Sequence, residues 1–177
     1  MNMYIEEILK ILSPPDKPLD APHVGEWIAA EEKLEHSFPS DYKEFVEKFG
    51  EGKIDNFLHI FTPFSKNENF NLIMQRDVQS KVLKELKSYD ETIPYPILPE
   101  PGGLLPFAAT DNGDVLFWKT SGIADKWTIV VNAARSPDWK EYDMSMAEFL
   151  LQLLRRRLHC EIFPVSFPSP SPMFEPV

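Results

Sequence analysis

Residues 104–119 read Leu104-Leu105-Pro106-Phe107-Ala108-Ala109-Thr110-Asp111-Asn112-Gly113-Asp114-Val115-Leu116-Phe117-Trp118-Lys119, and this stretch decides the fold. Two short apolar runs, Leu104–Thr110 and Val115–Lys119, flank Asn112-Gly113. Asn-Gly adopts φ > 0 at both central residues of a type I′ turn at least cost, so the pattern predicts a two-residue β-hairpin. The arms do not alternate apolar and polar, as a strand with one wet face would. The hairpin is therefore expected inside a sheet, covered by helices on one face and partly on the other.

Working outward, Trp127–Asn132 (WTIVVN) reads as a strong strand and Asp138–Asp143 (DWKEYD) as a short edge strand, with Trp139 and Tyr142 on differing faces. Ser145-Met146-Ala147-Glu148 has the spacing of a capping box. The helix it opens carries Met146, Phe149, Leu150, Leu153 and Leu154 on one face and closes on Arg155–Arg157, which suits its negative end. Upstream, Asp90–Gly103 is too rich in proline for helix or central strand and delivers the chain to the hairpin.

The N-terminal third reads as helical. Tyr4, Ile5, Ile8, Leu9 and Leu12 follow helical spacing up to Ser13-Pro14-Pro15. Val24, Trp27, Ile28 and Leu34 mark one face of a second helix. Tyr42, Phe45, Val46 and Phe49 mark a third, with Ser40 as its cap and Gly50 as its stop. Phe57–Phe61 reads as a strand ending before Pro63. A longer helix is expected over about residues 71–89, with Val78, Val82, Leu86 and Tyr89 along one face. The last segment, 164–177, holds five prolines and no periodicity. It is expected as polyproline II or disorder, with Phe163, Phe167 and Phe174 able to dock in a groove.

Composition bounds the function. The 177 residues carry 18 basic and 28 acidic side chains, a formal net charge of −10. That field repels a phosphate backbone, so direct nucleic-acid binding is not expected, whereas a basic protein partner is attracted. There is no run of about 18 apolar residues to span a membrane and no signal-peptide pattern at the start, so a cytoplasmic chain is expected. Cys160 is the single cysteine, which rules out an intrachain disulfide. His23, His36, His59 and His159 have no metal-ligand spacing, and HExxH, CxxC, GxSxG and a phosphate-binding loop are all missing. No cofactor and no enzymatic activity are expected.

The polar cluster that stands out is Asp111-Asn112-Gly113-Asp114. In a two-residue hairpin the two aspartates face each other, and like charges so placed repel. A basic side chain from a partner would relieve that repulsion; so would a cation; solvation of an exposed turn is the plain alternative. Asp111 and Asp114, with the aromatic side chains of Trp118, Trp139 and Tyr142, are the candidate partner-binding residues.

Several of these stretches together resemble the SMI1/KNR4 family of the SUKH superfamily. They are Trp27 with Glu31-Glu32 and Leu34, then Phe38-Pro39-Ser40-Asp41-Tyr42-Lys43-Glu44-Phe45-Val46, then Leu105-Pro106-Phe107 with Asp111–Asp114, and the strand ending in Phe117-Trp118. Phe49-Gly50-Glu51-Gly52 departs from the family's usual asparagine and paired glycines. The likeness spans roughly residues 24–154. It implies an α+β domain over residues 1–163, with a mixed or antiparallel sheet of about four to six strands and helices packed against it. It also implies a non-enzymatic immunity protein that binds a cognate toxin domain, or, as in fungal members, a regulatory scaffold. A basic toxin, possibly a nuclease, would suit an acidic inhibitor. No catalytic or binding residue carries over from the resemblance.

Overall fold

A computed structural model describes residues 1–177. Its helices are α1 (Met3–Ile8), α2 (Glu26–Leu34), α3 (Ser40–Phe49), α4 (Leu72–Ser88) and α5 (Met146–Leu154). Its strands are β1 (Gly52–Ile54), β2 (Leu58–Ile60), β3 (Leu104–Thr110), β4 (Val115–Lys119), β5 (Thr128–Asn132), β6 (Trp139–Tyr142) and β7 (Phe174–Glu175). The strands form one sheet in the order β6-β5-β4-β3-β2-β1-β7, and every neighbouring pair is antiparallel. This is an α+β fold in which six strands meander and the C-terminal strand returns to the first. Seven strands are present, against the four to six expected; the additions, β1 and β7, are three and two residues long.

The hairpin β3–β4 lies at the centre of the sheet, and cross-strand register explains its lack of alternation. Leu105, Trp118 and Ile129 line up on one face, as do Leu116 and Val131. They join a core of 35 buried residues that includes α1, α3 and α5. Pro106, Phe117 and Val130 line the other face, where Leu83 of α4 and Ile97 of the proline-rich segment cover them. Both faces are therefore dry over most of these strands. The register shifts between Pro106 and Ala108, and at that bulge Phe107 and Ala108 both enter the larger core.

The turn differs from the expected two-residue form. Thr110 N–H donates to the Asp114 carbonyl at 2.9 Å, and Gly113 N–H donates to the Thr110 carbonyl at 2.9 Å. Gly113 has φ +90°, while Asn112 does not have positive φ. The loop thus has three residues, Asp111-Asn112-Gly113, with glycine in the left-handed position of a bulge. The extra residue moves Asp114 into the strand pairing.

Helix α5 is the most buried helix, with seven of its nine residues inside. Ser145 Oγ accepts from Glu148 N–H as a cap should. A second acceptor comes from far away in sequence: the buried Asp41 of α3 takes the N–H of Ala147 at 2.8 Å and that of Tyr42 at 2.8 Å. Ser40 is the first helical residue of α3 and makes no side-chain cap, contrary to expectation. Two apolar faces differ from expectation. Helix α2 starts only at Glu26, after the exposed Val24, buries Ala30 and Leu34 and leaves Ile28 exposed; α4 buries Leu72 and Leu83 and leaves Val78 and Val82 exposed, with the exposed Tyr89 just past its end.

The C-terminal segment is not free. Phe163, Phe167 and Phe174 are all in the core, where Phe57 packs against the first two, and Phe174 enters strand β7. The expectation of a segment without secondary structure is corrected here: tertiary contacts impose a strand that local sequence does not favour.

Candidate interaction surface

The five candidate residues do not form one patch. Asp111 is exposed at the tip of the β3–β4 turn, and Lys53 Nζ of β1 donates to its Oδ1 at 2.7 Å. Asp114 is only 4% exposed. Its Oδ2 accepts from the Thr110 hydroxyl at 2.6 Å, and its Oδ1 accepts from Ala134 N–H at 2.9 Å. The two aspartates therefore do not confront each other; one has a lysine and the other pins the β5–β6 connection to the turn. Asp114 is corrected from a contact residue to a structural one.

Trp118 is also corrected. Its side chain is fully buried, between Phe107 at 4.6 Å and Tyr42 at 4.8 Å. Sequence could not separate it from a surface tryptophan, because strand position alone does not reveal how deeply a face is covered.

Trp139 and Tyr142 lie on the edge strand β6, on opposite faces as expected. Trp139 is half-buried against Tyr95 and Phe117 on the α4 face. Tyr142 is half-buried against Phe149 on the α5 face. Burial first, and then the Cys160 thiol beside it, push its hydroxyl well above the usual phenol range. Trp139 pairs with Asn132, and Asn132 with Val115, so it shares the hairpin-tip end of the sheet with Asp111. At that end the exposed or half-exposed groups include Asp111, Asn112, Arg135, Asp138 and Trp139.

Most of the negative charge lies elsewhere. Residues 1–52 hold twelve acidic and five basic side chains, a net of −7 out of the total −10. Glu26, Glu32, Glu35 and Glu47 of the α2–α3 region are exposed. Counting charge by segment finds this layer in the sequence; attention to the hairpin motif alone misses it. The largest cleft, about 790 Å³, lies between the end of α2, α4 and Pro99. Its charged lining is mixed, with Lys33, Arg76, Lys81 and Lys84 against Glu35, Asp77 and Glu85.

The buried ionisable pair is His59 of β2 with Glu51. His59 stacks on Phe70 with ring centroids 3.7 Å apart, and its Nε2 lies 3.6 Å from Glu51 Oε1, beyond hydrogen-bond reach. Burial, and then Lys53, bring its pKa down to about 4. Burial raises that of Glu51. No three His, Cys, Asp or Glu side chains are grouped to hold a metal ion, and no helix is long and apolar enough to cross a membrane.

The architecture is an antiparallel meander with helices packed on both faces, an α+β domain. The family model SUKH_6, described as SMI1-KNR4 cell-wall, matches residues 25–150, and the chain belongs to that family. No curated protein and no solved structure matches it.

Proposed function

We propose that this protein is an immunity protein: it binds a cognate, basic toxin domain in a stoichiometric complex and neutralises it by occlusion, without chemistry of its own. Family membership across residues 25–150 carries this reading, since the family is associated with protein–protein interaction with toxins and is generally non-enzymatic. The charge distribution supports it. A net of −7 within residues 1–52 gives the α1–α3 side a field that steers a basic partner and disfavours acidic ones.

Contacts are proposed at two places. The exposed glutamates of α2 and α3 set the approach, and the sheet end with Asp111 and Trp139, continuing along β6 to Tyr142, supplies aromatic anchors. The test is co-expression with candidate basic toxin domains. Rescue of growth, with a 1:1 complex on gel filtration, is expected; failure to rescue with every toxin that the protein captures sinks the reading.

A further inference from the structure

Strand β7 is the outermost strand on the β1 edge of the sheet. It contributes two residues, Phe174 opposite Ile54 and Glu175 opposite Lys53. Pro172 and Pro176 bracket it, and proline has no N–H with which to extend a ladder. Met173 and Val177 on either side are exposed, so a single side chain, Phe174, anchors the strand. That ring sits 5.0 Å from Phe49 and 6.1 Å from Phe45.

The body supplies the rest of the grip through the backbone. Asp55 N–H donates to the Met173 carbonyl at 2.8 Å. The Asp55 carboxylate accepts from Met173 N–H at 3.0 Å and from Ser169 N–H at 2.7 Å. The Ser169 hydroxyl also donates to Asp55 Oδ1 at 3.1 Å; the other contacts use tail backbone groups that an extended segment of different sequence also carries. Gly52 makes the approach possible: a Cβ there would lie 2.4 Å from the Glu175 carbonyl oxygen and 2.6 Å from the Phe174 ring.

Upstream, Phe163 and Phe167 fasten the chain independently against Phe57. Anchoring at Phe163 and Phe167 ties residues 169–177 to the body upstream of the β1 edge. A tethered segment of this kind competes at high effective concentration.

We propose that the outer edge of β1, with the Phe45–Phe49 wall beside it, is a strand-addition site. Its ligand is an extended protein segment with a phenylalanine followed by an acidic residue. The chain's own Phe174-Glu175 fills the site in cis, and a partner segment of the same chemistry replaces it. This is independent of the toxin reading.

The probe is a fluorescent peptide, Ser-Pro-Ser-Pro-Met-Phe-Glu-Pro-Val, titrated into the full-length chain. Phe174→Ala weakens the internal competitor, so this variant should bind the peptide roughly tenfold or more tightly than the wild type. Gly52→Ala closes the edge to any strand and should not bind. Replacing the peptide's phenylalanine by alanine should abolish binding to Phe174→Ala. A folded Phe174→Ala variant that ignores the peptide, or a Gly52→Ala variant that binds it equally well, overturns the proposal. Hydrogen exchange on the wild type gives a reading that needs no variant. The Asp55 amide should exchange about a hundredfold faster than that of Phe117 in the central strand, by local release of the tail. Equal protection of the two amides overturns the proposal.

Discussion

Lys53 Nζ meets Asp111 Oδ1 at 2.7 Å, joining the first strand of the sheet to the tip of its central hairpin. The pair is partly solvated, with side-chain exposures of 16% and 48%. Asp111→Ala should therefore change stability by no more than about 1 kcal/mol. If Asp111 touches the partner, the same change slows association, as stopped-flow mixing at low salt would show.

Asp114 is predicted to behave in the opposite way. Its removal strands the Thr110 hydroxyl and the Ala134 N–H. Asp114→Ala should cost about 2–3 kcal/mol in urea unfolding, with little change in the slope. A cost comparable to that of Asp111→Ala would mean that its contacts are weak in solution.

The Asp41–Ala147 bond links α3 to the N-terminus of α5 across 106 residues. Asp41→Ala leaves the Ala147 N–H buried without an acceptor and should cost about 2–3 kcal/mol. Asp41→Asn keeps one carbonyl acceptor and should recover part of that loss. Thermal unfolding of the two variants side by side separates capping from simple packing.

Stability should depend on pH through His59. Its folded pKa, about 4, lies below the ordinary value of 6.5. Between these two values the unfolded chain binds more protons than the folded one, so stability falls as pH drops from 6.5 towards 4. The loss approaches about 3 kcal/mol if the imidazole stays neutral throughout. Glu51, with its pKa raised, acts in the opposite sense: its burial costs stability as pH rises through the usual carboxylate range. Urea midpoints from pH 4 to 7.5 should slope in the wild type, and His59→Phe should flatten the part above pH 5. An unchanged slope would place the titration elsewhere.

The central strands and α5 were legible because local signals agree with tertiary demands. Gly113 marks the turn, the apolar runs mark dry strands, and Ser145 caps its helix. The turn's length was misjudged by one residue, because Asn-Gly also fits a three-residue loop with glycine left-handed. Helices α2 and α4 were recognised, but their inward faces were not. Apolar residues such as Ile28, Val78 and Val82 follow helical spacing whether or not anything covers them. Strands β1 and β7 were invisible because so few residues form them. What holds them is distant in sequence: Phe174 against Phe45 and Phe49, and Asp55 against Ser169. Of the candidate site, Asp111, Trp139 and Tyr142 keep surface positions. Trp118 and Asp114 do not, because register and burial depend on how the whole sheet is covered.

Trp139 offers a contrast with Trp118. Trp118→Ala should unfold or badly destabilise the protein, by about 3–5 kcal/mol. Trp139→Ala should retain the folded state and weaken partner binding by roughly tenfold, if the ring is an anchor. Titration calorimetry with the isolated partner checks this, and undiminished affinity would move the contact surface away from β6.

The most direct measurement is capture of the tagged protein's partner from source lysate, followed by association kinetics of the purified pair across salt concentrations. A single basic toxin domain, bound 1:1, with an association rate that falls steeply as salt rises and falls further when Glu26, Glu32, Glu35 and Glu47 are changed to Gln, is the predicted result. Acidic or neutral partners, with rates indifferent to salt and to those substitutions, would contradict it.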